Sequence, residues 1–289
     1  MWERRKLLLA AIVFAALNYK LTSAKMLDMA SDAVDDLYDG CRKEAMEKFI
    51  NLGFLEKELR GSKEFKKAWD ANTQCSKLIP RGTKEHTTAL LAYARDSNFA
   101  KTFDDAVESM GGNVSTYENH FHFKSLHFLL MDSMLLLNPK KDCKTVYVLQ
   151  EGYTAQKGSK VRFGRFTKVQ TSYRALRMLE DWDGQVFLNI TSCIFVNLGD
   201  NICGEEKDMA LLSPAEVFTV EAVNKINDEI NEEEYTEVVL KHSQQDSSHN
   251  CYSFSRSPAD VPTQWLVLLA CGFISFFHPA FWEHSALVG

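Results

Sequence analysis

The sequence predicts an α+β domain, a helical N-terminal part followed by β-strands. Two observations carry this. Up to Leu137 apolar residues recur at helical spacing among mixed charges. From Cys143 onward the chain falls into short β-branched and aromatic runs separated by Gly, Asp and Asn. Helices first and strands later argue against the alternation of a parallel α/β sheet.

In order, Leu55 to Trp69, Glu85 to Arg95 and Phe99 to Met110 have helix-compatible spacing. Ser115 to Leu137 reads as one long central helix. Ser115 with Glu118 forms an S-x-x-E capping box at its start. Phe121, Phe123, Leu126, Phe128, Leu129, Leu130, Met134 and Leu137 make it apolar nearly all round, which predicts burial, and Asn138-Pro139 ends it. The predicted strands are Cys143 to Leu149, Val161 to Val169, Gln185 to Leu198, Ala215 to Val223 and Tyr235 to Lys241. Glu232-Glu233-Glu234 reads as a solvated turn, and Asp35-Asp36 as caps near a helix start. His120, His122 and His127, placed on the central helix, read as aromatic packing and hydrogen bonding, because no ligand spacing accompanies them. Trp69 and Trp182 read as core or loop anchors.

Among 289 residues, 45% are hydrophobic and 25% charged, the balance of a globular chain and not of a polytopic membrane protein. Lys and Arg total 33 against 39 Asp and Glu, a net charge of -6, and no long basic run occurs. That weighs against nucleic acid as a partner. Seven cysteines occur without a CxxC pair, and HExxH is missing, so zinc is not expected. Disulfides are the other reading, and they require export.

Both ends agree with export. Arg4, Arg5 and Lys6 precede an apolar run from Leu7 to Leu17 and then Thr22-Ser23-Ala24, the parts of a secretory signal peptide over 1–24. The domain is expected at 25–252, a polar spacer with Ser253, Ser255 and Ser257 at 253–264, and an apolar tail at 265–289. Small residues, a spacer and an apolar block have the shape of a GPI-attachment signal. A tail-anchoring helix from Trp265 to Phe281 is the rival, and a segment packed inside the domain ranks third. Either favoured reading puts the domain at the cell surface; a secreted form follows if the tail is no anchor. Asn113 and Asn189 head N-x-[ST] sequons, the first beside Gly111-Gly112 in a loop and the second in a strand-like run.

The order of several short strings resembles the vertebrate ecto-mono-ADP-ribosyltransferases. Asp28-Met29-Ala30 with Asp35-Asp36 and Tyr38-x-x-Cys41 is similar to their mature start. Tyr117 to Leu130 is similar to their central helix, Cys143-x-x-Val146-Tyr147 to their first NAD-contacting strand and Val161 to Phe166 to the next. Ser213 to Phe218 resembles the I-P-P-F-E-V-F stretch after the catalytic glutamates, and Asn250-Cys251 the closing cysteine. The resemblance implies two facing β-sheets with an NAD cleft between them. It implies NAD as co-substrate, no metal, and transfer of ADP-ribose to a protein arginine. It also implies pairing of Cys41 with Cys251 and of Cys143 with Cys193. Cys75 and Cys203 are left over as a possible third pair, with Cys271 in the tail.

In that family an arginine after V-Y clamps the NAD phosphates, an S-T-S-type strand orients the nicotinamide ribose, and an E-x-E pair supplies a carboxylate. The departing nicotinamide leaves an oxocarbenium-like ribose carbon, which that carboxylate stabilises. The cofactor-binding positions fall here on Tyr147, Val148, Lys168 and Gln170, with identities changed at the last three. Counted back from Glu216, the E-x-E falls on Lys207-Asp208-Met209; a one-residue gap makes it Glu206-Lys207-Asp208, with Glu206 and Asp208 the candidate catalytic carboxylates. The expectations are therefore a transferase with a degenerate site, or a catalytically silent surface protein that keeps the fold for recognition.

Overall fold

The structure, a computed structural model, describes residues 24–179, 181–199, 202–204 and 207–254. The expected signal peptide up to Ser23, the spacer from Ser255 onward, the apolar tail and Glu206 lie outside the described residues. The chain divides into two compact units, Met1–Cys251 and Tyr252–Gly289, and every element described belongs to the first. Among the described residues no helix is long and apolar enough to cross a membrane.

The helical part comprises α1 (Arg42–Met46), continued by a π-helical turn at Glu47–Asn51, then α2 (Phe54–Gly61), α3 (Lys63–Asp70), α4 (Lys84–Arg95), α5 (Ser97–Ser109), α6 (Val114–Asn119) and α7 (Lys124–Leu137). Two helices expected to be continuous are broken. Leu55 to Trp69 parts at Ser62, whose extended backbone ends α2 and whose hydroxyl accepts from Phe65 N at 3.2 Å to begin α3. Ser115 to Leu137 parts between Asn119 and Lys124. The cap of α6 is Asn113, not Ser115; its side chain accepts from Thr116 N at 2.9 Å. The N-terminus of α7 is capped from a distance by Glu58 of α2, which accepts from Lys124 N at 2.8 Å and Ser125 N at 2.9 Å. A carboxylate there satisfies open amides and meets the positive end of the helix dipole. Burial follows the expectation, since every residue from Lys124 to Met134 is buried. Of the three histidines only His127 is on α7. Its Nε2 lies 3.2 Å from the Val34 carbonyl oxygen and its Nδ1 3.0 Å from the Tyr38 hydroxyl. Burial lowers it to about 4, so it is a neutral core residue at pH 7.

The strands are β1 (Lys25–Met26), β2 (Lys144–Gln150), β3 (Tyr153–Thr154), β4 (Lys160–Arg162), β5 (Thr167–Gln170), β6 (Val186–Ser192), β7 (Phe195–Asn197), β8 (Met209–Leu212), β9 (Glu216–Asp228) and β10 (Glu233–Gln245), with a helix α8 (Tyr173–Leu179) after β5. β1 pairs in parallel with β3, and the rest order as β4-β9-β10-β6-β2-β5-β8-β7. Only β10 and β6 run parallel in this ladder. Two runs of strands meet at β2 and β5, joined by one bridge, Tyr147 to Gln170. The run Val161 to Val169 is two strands, not one. Gly164 between them has φ +69°, and a Cβ there would stand 2.4 Å from the Ala30 Cβ, so only glycine fits. Gln185 to Leu198 is likewise two strands, parted at Cys193. Glu233 and Glu234, expected in a turn, open β10, and Glu232 alone takes the left-handed turn conformation.

The sheet packs one face on a core of Val146, Val169, Leu188, Ile190, Phe218 and Leu240 among others. The helices join it through Phe166, whose ring stacks on Phe103 at 5.6 Å and meets His127 at 5.4 Å. Three disulfides close long loops, Cys41–Cys251, Cys143–Cys193 and Cys75–Cys203, the last being the pair left open by the sequence. Such bridges contribute typically about 2–4 kcal/mol each.

Asp35 and Asp36 are not helix caps; they bind the start of the described domain to residues 248–251 near its end. Asp35 is fully buried and takes Arg162 Nη1 at 2.7 Å, Ser248 N at 2.9 Å, His249 N at 3.1 Å and His249 Nδ1 at 2.7 Å. Burial alone would raise its pKa, but the bonds from His249, Ser248 and Arg162 hold it below the usual aspartate value. Asp36 takes Tyr38 N at 2.9 Å, Cys251 N at 2.9 Å and the Tyr117 hydroxyl at 3.1 Å. Asp35→Ala would leave Arg162 buried and uncompensated. Loss of one partner of a buried pair costs about 3–5 kcal/mol, and urea unfolding should read that loss, with the Cys41–Cys251 bridge still formed on a non-reducing peptide map.

Glu58 gives a second prediction. Burial raises it from 4.5 to about 7 against the pull of the Ser125 and Lys124 amides. Between those values the folded state holds a proton that the unfolded chain does not, so this group makes stability fall as pH rises from 4.5 to about 7. Glu58→Gln should therefore gain on the wild type between pH 5 and pH 8; a difference in urea midpoint that is constant with pH would contradict this.

Candidate functional site

Strand register brings the motif positions together. Tyr147 of β2 pairs with Gln170 of β5, and Gln170 with Met209 of β8, so three adjacent strands carry them in one row. Paired residues of a sheet share a face. The ungapped count from Glu216 thus puts Met209 beside Gln170, in the row where the family resemblance places a carboxylate. The gapped alternative gains little. Glu206 lies outside the described residues, and Asp208 is exposed, with its backbone oxygen accepting from Thr171 N at 2.7 Å. No acidic side chain among the described residues occupies this row.

Successive strand residues alternate in face, so Val148 points away from Tyr147, and it packs against the main sheet core. Tyr147 lies instead in an aromatic cluster. Its ring stacks on Phe187 at 5.9 Å and meets Tyr173 of α8 edge-on at 5.7 Å. Trp182 is fully buried behind them, 4.6 Å from Phe187 and 5.0 Å from Tyr235, with the Arg177 guanidinium 4.6 Å over its ring. Arg177 is itself paired, with Asp228 at 3.0 Å and Glu233 at 2.5 Å. The α8 segment is therefore fastened to β2 and to the β9–β10 hairpin by ring packing and ion pairs.

Lys168, one of the expected cofactor-binding positions, is tied to the helical part in this structure. Its Nζ donates to the Ala94 carbonyl oxygen at 2.7 Å, at the C-terminus of α4, and stands 5.3 Å over the Tyr93 ring. A cation there is favoured by the negative end of the helix dipole and by the ring face. Lys168 also lines a cavity of about 400 Å³ with Tyr93, Asp104, Gln150 and Arg165. No short motif signals that Arg165, Lys168 and Gln150 converge, nor that Tyr93 and Asp104 join them.

Elsewhere, Cys193, Glu216 and His242 come within metal-ligand distance. Cys193 is committed to its disulfide, and Glu216 already accepts from Ser192 Oγ at 2.6 Å and Cys193 N at 2.7 Å, with His242 Nδ1 at 2.8 Å. These bonds fasten β6, β9 and β10 where β6 and β7 part. Asn113 is exposed in its turn, whereas Asn189 lies in β6 between β2 and β10 and donates to Glu237 at 3.3 Å, so it is poorly placed as a glycan acceptor.

Comparison with known proteins agrees with this architecture. The family model described as NAD:arginine ADP-ribosyltransferase matches residues 27–248. NAD(P)(+)--arginine ADP-ribosyltransferase 2 of Gallus gallus is 29% identical over 238 residues, 78% of this chain and 72% of that protein. GPI-linked NAD(P)(+)--arginine ADP-ribosyltransferase 1 of Mus musculus is 28% identical over 268 residues, 86% of this chain and 79% of that one. A crystal structure of a mutant of the eukaryotic mono-ADP-ribosyltransferase ART2.2 in complex with NAD superposes with a TM-score of 0.64 at 27% identity, covering 78% of this chain and 98% of that chain. The fold is theirs, and the chain belongs to the NAD:arginine ADP-ribosyltransferase family.

Proposed function

We propose that this protein is a cell-surface NAD:arginine mono-ADP-ribosyltransferase that works at a low rate on an altered site. The observation that carries the reading is the alignment of Tyr147, Gln170 and Met209 across β2, β5 and β8 within a chain matched by the family over residues 27–248. NAD is the co-substrate in this reading, and the acceptor is an arginine side chain of an extracellular protein. The naming of a similar mouse protein as GPI-linked supports surface attachment, through the tail at 265–289.

The low rate follows from the row itself. As nicotinamide leaves, positive charge grows on the ribose carbon, and a nearby carboxylate lowers that barrier. Met209 brings a polarisable thioether in place of a charge. Removing one group that stabilises transition-state charge costs about 3–4 kcal/mol, or roughly 10²–10³ in rate. Val148 removes the bidentate phosphate contact that the family's arginine provides. The same four residues, Val148, Lys168, Gln170 and Met209, favour a second reading, a silent protein that keeps the fold for recognition.

Incubation with labelled NAD and a small guanidine acceptor, following transfer and nicotinamide release together, separates the two. The transferase reading expects slow transfer by the unmodified protein and a gain of roughly 10²–10³ in Met209→Glu, further increased by Val148→Arg. Absence of both transfer and nicotinamide release from all three proteins would leave the recognition reading. For attachment, phosphatidylinositol-specific phospholipase C should release the protein from expressing cells; retention would indicate a spanning tail.

A further inference from the structure

The cavity bounded by α4, α5 and β5 gathers two cations around a buried carboxyl. Arg165 reaches it from the turn before β5, with Nη2 3.2 Å from the Tyr153 hydroxyl and Nη1 3.3 Å from Glu108. Lys168 reaches it from β5 itself. Between them, Asp104 of α5 has one oxygen, Oδ1, that is buried without a hydrogen-bond partner. The other, Oδ2, lies 2.9 Å from the Tyr93 hydroxyl, which is also 2.9 Å from the Phe166 carbonyl oxygen. The Tyr93 hydroxyl has one proton and faces two acceptors. Both contacts are satisfied together when Asp104 carries a proton on Oδ2 and donates it to Tyr93, which then donates to Phe166. Oδ1 is left as an acceptor awaiting a donor, and an unmade buried hydrogen bond is costly.

Lys168 and Gln170 lie two residues apart on one face of β5, about 6.6 Å along the strand. Lys168, which lines the cavity, therefore stands about one sugar's length along the strand from the motif row. Two cations with a neighbouring acceptor match a phosphoryl group next to a hydroxyl.

We propose that this cavity binds the phosphoryl group of a nucleotide, with Arg165 and Lys168 supplying the positive charge that Val148 cannot, and Asp104 Oδ1 accepting from a hydroxyl of the same ligand. The inference rests on the reading of NAD as co-substrate and assigns the phosphate contacts to a different strand. Arg165 offers the planar fork suited to phosphate oxygens, and Lys168 a point charge.

Asp104 supplies the sharpest test. Burial raises it to about 7 against the pull of Tyr93, Arg165 and Lys168. The charged or titratable groups facing it are Tyr93 from α4, Lys101, Asp105 and Glu108 from α5, and Arg165 and Lys168 from the β5 side. Above pH 7 its carboxylate forms and repels a phosphate. Asp104→Asn mimics the protonated acid, retaining an Oδ1 acceptor and a donor to Tyr93.

Calorimetric titration of the purified protein with NAD, AMP and inorganic pyrophosphate, at pH 6 and pH 8, tests this. All three probes are expected to bind the wild type more weakly at pH 8 than at pH 6. Arg165→Gln should weaken NAD and pyrophosphate by about 10–100-fold, the span of one charge-assisted hydrogen bond. Asp104→Asn should bind several-fold more tightly than wild type at pH 8 and equally at pH 6, a gain that a misfolded variant cannot mimic. Unchanged affinity in Arg165→Gln, no gain in Asp104→Asn at pH 8, or failure of all three probes to bind would overturn the inference. NAD transfer unaltered by Arg165→Gln would sink the inference and leave the transferase reading intact. Pyrophosphate and AMP binding that depends on Arg165, without any transfer, would support the inference and sink that reading.

Discussion

The fold depends on one buried carboxylate. Asp35, near the start of the domain, holds Arg162 from β4 and the backbone of Ser248 and His249 from its end. An unpaired charge at that depth would be strongly disfavoured, so these partners must arrive together or not at all. The consequence is a closed circuit in which the first residues, a sheet edge and the last turn are fixed by the same group. Cys41–Cys251 fastens that circuit covalently. The strands that carry the motif row hang from this frame, since β4 pairs with β9, β9 with β10, and β10 leads through β6 to β2.

The seam between β2 and β5 is weaker than the ladders on either side of it. A single bridge joins the two strands, against seven paired positions between β2 and β6. Beyond Tyr147 and Gln170 no paired position joins β2 to β5 among the described residues. The α8 segment covers the seam from one side through Tyr173, Trp182 and Arg177, and the α4–α5 cavity approaches it from β5. Positions 147, 148, 168, 170 and 209 all belong to the strands at or beside this seam.

Legibility in the sequence followed the range of the interaction. Helical and strand halves were legible because periodicity is local, and two disulfides because the family resemblance orders their cysteines. The break in the central helix was not legible. Asn113, not the S-x-x-E pair at Ser115, caps α6, and Glu58 caps α7 from 66 residues away, which no window of helical spacing can reveal. Asp35 looked like a helix cap for the same reason, since its partners lie 127 and 213 residues on. Counting back from Glu216 names Met209, but that Met209 pairs with Gln170, and Gln170 with Tyr147, is set by strand register and not by the count. That Lys168 caps α4, and that Arg165 and Asp104 meet it across a cavity, depends on how α4 and α5 lie on the sheet, which residue order does not encode in any short motif.

The substitutions at 148 and 209 also have a physical reason. The family resemblance puts a cation at position 148 and an anion at 209, and strand alternation sets the two on opposite faces, since Met209 shares the face of Gln170 and Tyr147. Each is accommodated by its own surroundings: Val148 packs on the sheet core and Met209 sits half-buried at the start of β8. An apolar side chain at either place leaves no charge to desolvate. The fold therefore gives no resistance to losing both charges, although the chemistry does. Charge remains at the neighbouring cavity in a balanced form, with Arg165 facing Glu108 and Lys168 held by Ala94 O and Tyr93. Those cations are stable without a ligand and close enough to the row to serve one.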